Sequence, residues 1–289
     1  MPSRPYRSVL YIPASRARAL EKARTMPVDA IIFDLEDAVA VAEKEAARTL
    51  LRDTLIAGGY GPRAQIVRVN ALETPWGGAD VATLAAIGPQ AILLSKVNSA
   101  ADIEDLATQL AAIPEAAGTK IWAMMETPQG ILNAEAIAKA PRMAGMVLGT
   151  NDLAKDLGTR PGHRREPMVA ALGHCVLAAR AAGIAVIDGV YNAFKDDDGL
   201  RAEAEQGRDM GFDGKTLIHP AQVAIANEIF APTGDEIDLA TRQIAAFEKA
   251  TAQGDGVAVV DGRIVENLHV ETARATLAKA NAIRDLADA

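Results

Sequence analysis

The sequence predicts an α/β fold, a (β/α)8 TIM barrel with a C-terminal helical and hairpin extension. Eight short runs rich in Val, Ile and Leu recur along the chain, and most gaps between them hold one amphipathic helical pattern. The 289 residues also suit one large barrel. A doubly wound open sheet is the structural alternative. It usually has fewer units and a glycine-rich phosphate fingerprint after its first strand, and neither GxGxxG nor a Walker loop occurs here.

The strand-like runs, in order, are RSVLYIP from Arg7, AIIFDLED from Ala30, QIVRVN from Gln65, AILLSK from Ala91, KIWAMMET from Lys120, GMVLGTND from Gly145, AVIDGVY from Ala185 and GKTLIHP from Gly214. Segments such as ARALEKARTM, DIEDLATQLAAI and MVAALGHCVLAARAAG between them read as helices. After His219-Pro220 the rhythm changes. A helix AQVAIANEIF, a break at Pro232-Thr233-Gly234, the helix EIDLATRQIAAFEKATAQ, a hairpin around VAVVDGRIVE and a closing helix from His269 follow. Residues 1–225 are expected to form the catalytic barrel and 226–289 an extension that serves as a lid or oligomer contact.

Composition narrows the function. Hydrophobic residues make up 49% of the chain and aromatics only 4%, as in alanine-rich helices packed on an aliphatic sheet. A net charge of -8 argues against a general nucleic-acid role. The single cysteine, Cys175, excludes an internal disulfide, and no Cys/His cluster suggests zinc, so a cytoplasmic setting is expected. The Arg-rich start superficially resembles an organellar leader, but a strand needed by the fold begins near Arg7, and the mature chain is expected to start at Met1. No apolar run approaches the ~20 residues of a membrane span.

Ligands bind at the rim where barrel strands end. Glu126 and Asp152 each stand at the downstream end of an apolar run, which places two hard oxygen ligands on one rim, as Mg²⁺ sites require. The plain alternative makes both acids N-caps of the following helices. The strand ends together carry Pro13-Ala14-Ser15, Glu36-Asp37, Arg68 and Asn70, Lys96, Glu126, Asn151-Asp152, Asp188 with Tyr191-Asn192, and Lys215 with His219, whereas the strand starts are mostly Ala, Gly and Gln.

Arg68 and Asn70 share one face of their strand by alternation. If that face is the lumen, Arg68 aims its guanidinium at Glu126 and Asp152, either as an ion pair or as a fixed cation for an oxyanion. Arg18 and Lys22, one turn apart and flanked by Arg16 and Arg24, form a basic face on the first helix. That face is either solvated surface or a phosphate contact at the rim. His163, His174 and His269 have no matching ligand partners and read as structural, whereas His219 is placed for either substrate contact or a core hydrogen bond. No GxSxG elbow or Cys/His nucleophile appears.

The motifs FDLEDAV, VRVN, METPQG, LGTNDLAKDL, DGVYNAF and GFDGKTLIHPAQ together resemble the citrate lyase β-subunit-like group of the HpcH/HpaI aldolase superfamily, most of all its malyl-CoA thioesterase and malyl-CoA lyase branch. The resemblance runs from RSVLYIP to ENLHVETA, nearly the whole chain. It implies a TIM-barrel enzyme with Mg²⁺ on Glu126 and Asp152 and with Arg68 stabilising a thioester enolate; Glu36 and Asp37 are assigned to support of Arg68 or metal-bound water, with a purely structural role as the alternative. It also implies a CoA tail over the first basic helix; Arg16, Arg18, Lys22 and, at another strand end, Lys96 are the candidate cofactor-binding residues. The C-terminal segment would cover a neighbouring subunit's site in a homotrimer or homohexamer. The matching acid there is Glu266, where the lyases usually carry Asp; a second departure is Pro13-Ala14-Ser15, where Gly is more usual at the middle position. The activity implied is hydrolysis of (3S)-malyl-CoA to malate and CoA. The alternatives are retro-Claisen cleavage of malyl- or citramalyl-CoA, or a citrate lyase β subunit that needs a carrier protein.

Overall fold

The computed structural model describes residues 4–160 and 165–288. The expectations for Met1 and His163 lie outside those residues. Strands β1 (Ser8–Pro13), β2 (Ala30–Asp34), β3 (Ala64–Val69), β4 (Ala91–Leu94), β5 (Lys120–Met125), β6 (Met143–Leu148), β7 (Ala185–Asp188) and β8 (Gly214–Leu217) close into one parallel barrel, in chain order. All eight expected strands are present, and β1 pairs with β8 to complete the ring. The open-sheet alternative is excluded by that closure.

Alternation along each strand divides the core in two. Val9, Ala30, Ile32, Ala64, Leu93 and Trp122 belong to the cluster filling the lumen. Residues of the opposite parity, such as Ile31, Phe33, Val67, Ile92 and Val186, pack outward against the helices. Trp122 is a large lumen plug at 2% exposure, with Tyr6 edge-on at 5.1 Å. It fits because Gly145 faces it: a Cβ there would lie 2.4 Å from the indole. Trp122 and Tyr6 thus occupy the lower lumen, and the cavity lined by Tyr11, Arg68, Met124 and Glu126 lies above them at the strand ends.

Past β8 the helix Val223–Ile229 still packs into the main core through Val223, Ala226 and Ile229, so the expected boundary after residue 225 falls within it. Thr233 then caps the helix Gly234–Ala252 in a reciprocal capping box with Glu236. A hairpin of β9 (Ala258–Val260) and β10 (Arg263–Val265) leads into the helix Asn267–Asp288. The extension has a small apolar cluster of its own, built on Ala258, Val265 and Val270. It is tied to the barrel by Arg208–Glu236 at 2.6 Å. Lys279 lies within electrostatic range of Arg7, Asp29 and Asp213, so the last helix passes the strand-start rim, opposite the barrel mouth.

Candidate active site

Alternation carries Asp34, Arg68 and Glu126 to the upper lumen, one turn of parity above Ile32, Ile66 and Met124. Asp34 and Arg68 are register partners on neighbouring strands. The guanidinium makes a bidentate fork with Asp34, Nε to Oδ1 at 2.7 Å and Nη2 to Oδ2 at 2.6 Å. Its Nη1 edge meets Glu36 at 2.9 Å and, more loosely, Asp37 at 3.5 Å. Tyr11 lies under its face, 4.9 Å from ring centroid to Cζ. Burial pulls the Arg68 pKa down, but Asp34, Tyr11 and Glu36 more than offset this, and the group stays a permanent cation. Burial pushes the Glu36 carboxyl up to about 8, against the opposing pull of Arg68.

Arg68, expected to aim at Glu126 and Asp152, pairs instead with Asp34, which is absent from the expected site residues although AIIFD gives it the same parity as Ile32. Asn70, expected beside Arg68, lies past the end of β3. Its side chain is held by Lys44 at 2.7 Å and Asp80 at 2.6 Å, both from outer helices, which removes it from the lumen.

Glu126 is 1% exposed. Its Oε1 accepts the Lys96 backbone N–H at 2.8 Å, and its Oε2 lies 3.4 Å from Lys96 Nζ without a directed hydrogen bond. Lys96 Nζ also reaches Asp152 Oδ1 at 3.0 Å. Lys96 holds a positive φ of 56°, a strain of about 1–2 kcal/mol for a residue with a Cβ. Gly149 makes room: a Cβ there would meet Glu126 Cβ at 2.4 Å. Burial raises the Glu126 pKa, with Lys96 opposing. The N-cap alternative fails for both acids, because Thr127 caps Pro128–Leu132 by accepting from Gly130, and Gly149 holds the cap position before Asp152.

Both acids and Arg68 line a mouth cavity of about 260 Å³, with Tyr11, Asp34 and Met124. Two carboxylate oxygens converging on one cation, one of them buried without a hydrogen bond, fit a hard divalent ion completed by water and substrate oxygens. Among the described residues no group of three or more His, Cys, Asp or Glu forms an all-protein cage.

The rest of the strand-end ring divides. Asp188 and Lys215 have outward parity, and both are fully buried with Arg165 and Glu203 between barrel and helix Asp197–Met210. Asn151 and Asn192 bond to each other across two rim loops, at 2.7 and 3.3 Å. His219 is exposed, accepts the Ala221 N–H on Nδ1 at 3.2 Å and stacks on Phe194 at 4.6 Å, so it is a helix cap rather than a core residue. Arg16, Arg18 and Lys22 are exposed on and before helix Ala17–Ala23, while Arg24 turns away to Glu21 and Tyr60. Lys96, expected with those bases, stands between the two acids. Glu266 is exposed at the hairpin's end, its N–H donating to His269 Nδ1 at 3.0 Å. Cys175 is buried, and burial raises its thiol to about 12, which makes it inert.

Comparison with known proteins gives the same picture. The chain is 62% identical to a (3S)-malyl-CoA thioesterase of Cereibacter sphaeroides strain KD131 over 279 residues, 96% of each chain. It is 35% identical to the citrate lyase subunit beta of Escherichia coli K12, covering 96% of this chain and 94% of that one. A crystal structure of CitE from Mycobacterium tuberculosis, in complex with magnesium, acetoacetate and coenzyme A, superposes with a TM-score of 0.79 at 31% identity, covering 96% of this chain and 98% of that one. A citrate lyase beta subunit from the same organism, complexed with oxaloacetate and magnesium, gives 0.70 at 32% identity, covering 80% and 99%. With residues 7–220 matching the family model for HpcH/HpaI aldolase/citrate lyase on a closed eight-stranded barrel, this chain belongs to that family.

Proposed function

We propose that the protein is a Mg²⁺-dependent enzyme of CoA esters that hydrolyses (3S)-malyl-CoA to malate and CoA. The observation that carries this reading is the 62% identity to (3S)-malyl-CoA thioesterases along 96% of both chains. The mouth geometry supports it: paired acids and a clamped guanidinium share one small cavity. Glu126 and Asp152 would hold the metal. When bound, Mg²⁺ supplies a Lewis acid that orients substrate oxygens and favours their anionic forms.

The chain's own residues supply the remaining work. Asp34 fixes the Arg68 fork and Tyr11 its face, so the guanidinium is held in the cavity wall, its Nη1 edge on Glu36, as a preorganised cation for oxyanion charge at the thioester carbonyl. Glu36, raised to about 8, holds a proton at that edge near neutral pH, and Asp37 is a loose outer partner. Arg16, Arg18 and Lys22 meet the CoA phosphates as exposed cations.

Glu266 would act on the substrate from a neighbouring subunit. In a single chain it contacts His269, and its hairpin leaves Val259 and Ile264 66% and 61% exposed, as expected of a segment that covers a second copy. Residues 226–289 then serve as lid and contact in a homotrimer or homohexamer. A cytoplasmic setting suits the lone buried thiol, and among the described residues no helix is long and apolar enough to cross a membrane.

A second reading, carbon–carbon cleavage on the same site, is favoured by the 35% identity to citrate lyase beta subunits. Incubating purified protein and Mg²⁺ with malyl-CoA separates the two. Malate and free CoA support hydrolysis; glyoxylate and acetyl-CoA support the lyase; no reaction without a carrier protein points to a citrate lyase-type subunit.

A further inference from the structure

We propose that Lys96 is the resident counter-cation of the metal site, holding Glu126 and Asp152 together until a divalent ion displaces its ammonium. This rests on the reading that those two acids bind the metal. Three features of the loop after β4 carry the inference. The backbone at Lys96 takes a left-handed conformation, φ 56°, that a Gly or Asn would adopt more readily, and in it both the N–H and the side chain turn to Glu126. The ammonium sits 3.0 Å from Asp152 and 3.4 Å from Glu126, the point where a cation shared by the two carboxylates belongs. Its contact with Glu126 Oε2 is a charge contact without a directed hydrogen bond, so that oxygen keeps a lone pair for a stronger partner.

Two acids this close, one of them 1% exposed, would repel each other in an empty site. Lys96 cancels that repulsion with a flexible stem whose side chain is 34% exposed, so it can withdraw toward solvent without unpacking the core. A divalent ion must then compete with an internal cation, which lowers its affinity while keeping the empty site folded. The released ammonium stays at the mouth, beside the space where the substrate's anionic groups enter.

The test measures metal binding rather than turnover. Mg²⁺ and Mn²⁺ are titrated by calorimetry into wild type, Lys96→Met, Lys96→Arg and Asp152→Asn, and Tm is recorded with EDTA and with saturating Mn²⁺. Met keeps a Cβ and a long stem, so the backbone strain is unchanged and the difference reports the charge. Lys96→Met should bind the ion about tenfold more tightly, equivalent to about 1.4 kcal/mol. It should melt lower than wild type in EDTA and approach wild type when saturated. Lys96→Arg should keep the EDTA Tm and gain no affinity, which preserves the test if the Met variant folds poorly. Unchanged or weaker metal binding in Lys96→Met, or an equal Tm loss with and without metal, would overturn the inference while leaving the metal site standing. Wild-type binding that survives Asp152→Asn would instead sink the site assignment, and this inference with it.

Discussion

Asp188, Lys215, Arg165 and Glu203 form a cluster in which each charge has an opposite partner within 3.6 Å, whereas Glu126 keeps one buried oxygen without a hydrogen bond. Asp188 ends β7 much as Glu126 follows the end of β5, whereas Lys215 is the second residue of β8. The first cluster is closed: Asp188 is held below the usual carboxylate range because Lys215 and Arg165 outweigh the effect of burial. The second is open to a cavity, and burial raises Glu126. Charge at a strand end is therefore no sufficient sign of a site. What distinguishes the two is parity, which sends one set into the helix layer and the other into the lumen.

The largest expected break in this contrast comes from the open cluster's acids. Asp152→Asn or Glu126→Gln should lower Mg²⁺-dependent turnover of malyl-CoA by about 10³-fold with the circular dichroism spectrum kept, since a metal ion contributes several kcal/mol of charge stabilisation. Full activity at limiting Mg²⁺ in either variant would remove these acids from the site. Glu266→Ala should lose about 10²-fold in kcat with KM nearly kept. Mixing it with Asp152→Asn subunits should restore part of the activity, because a hybrid assembly contains one mouth with both groups intact. Demonstrated subunit exchange without recovery would confine Glu266 to its own chain or to no catalytic role.

A paired substitution sharpens the comparison directly. Arg68→Met strips the buried Asp34 carboxylate of its cation, at about 3–5 kcal/mol of stability, whereas Lys215→Met leaves Asp188 with Arg165 and should cost less. Only Arg68→Met should also lower kcat, by about 10²–10³-fold. Denaturant unfolding beside kcat for both proteins checks this; a kcat loss in Lys215→Met at a temperature where it is folded would make the outer cluster part of the chemistry. On the exposed face of helix Ala17–Ala23, Arg18→Glu or Lys22→Glu should raise KM for the CoA ester about tenfold with little change in kcat, because these side chains would bind a non-reacting part of the substrate. An unchanged KM would leave the helix face as solvated surface.

The barrel was legible because eight aliphatic runs and their helical gaps carry two distinct periods, and no buried element interrupts them. That Glu126 and Asp152 share one strand-end cavity was legible by position alone. Asp34 was not picked out, although its parity was readable; its pairing with Arg68 depends on the register between β2 and β3, which no local pattern encodes. Alternation alone puts Asn70 on the face of Arg68, but β3 ends at Val69 and the Asn70 side chain bonds to Lys44 and Asp80. The place of Lys96 depends on a positive φ at a residue that rarely adopts one, which composition does not announce.

The smallest effect is a difference in sign between the two clusters' pH responses. The Glu36 pKa is raised from 4.5 to about 8, so between those values the folded protein binds more protons than the unfolded chain. Its contribution to stability is full below the unfolded value and is lost as pH rises through about 8. Asp188 is lowered from 3.8, so its contribution is present above that value and is lost as pH falls through the folded pKa. The mouth should therefore weaken toward alkaline pH and the outer cluster toward acid. Glu36→Gln, which cannot titrate, should flatten the decline in Tm between about pH 5 and pH 8 while leaving the acid limb untouched. The same alkaline slope in wild type and variant would mean that Arg68 holds Glu36 ionised throughout, and that the mouth is as fully paired as the cluster around Asp188.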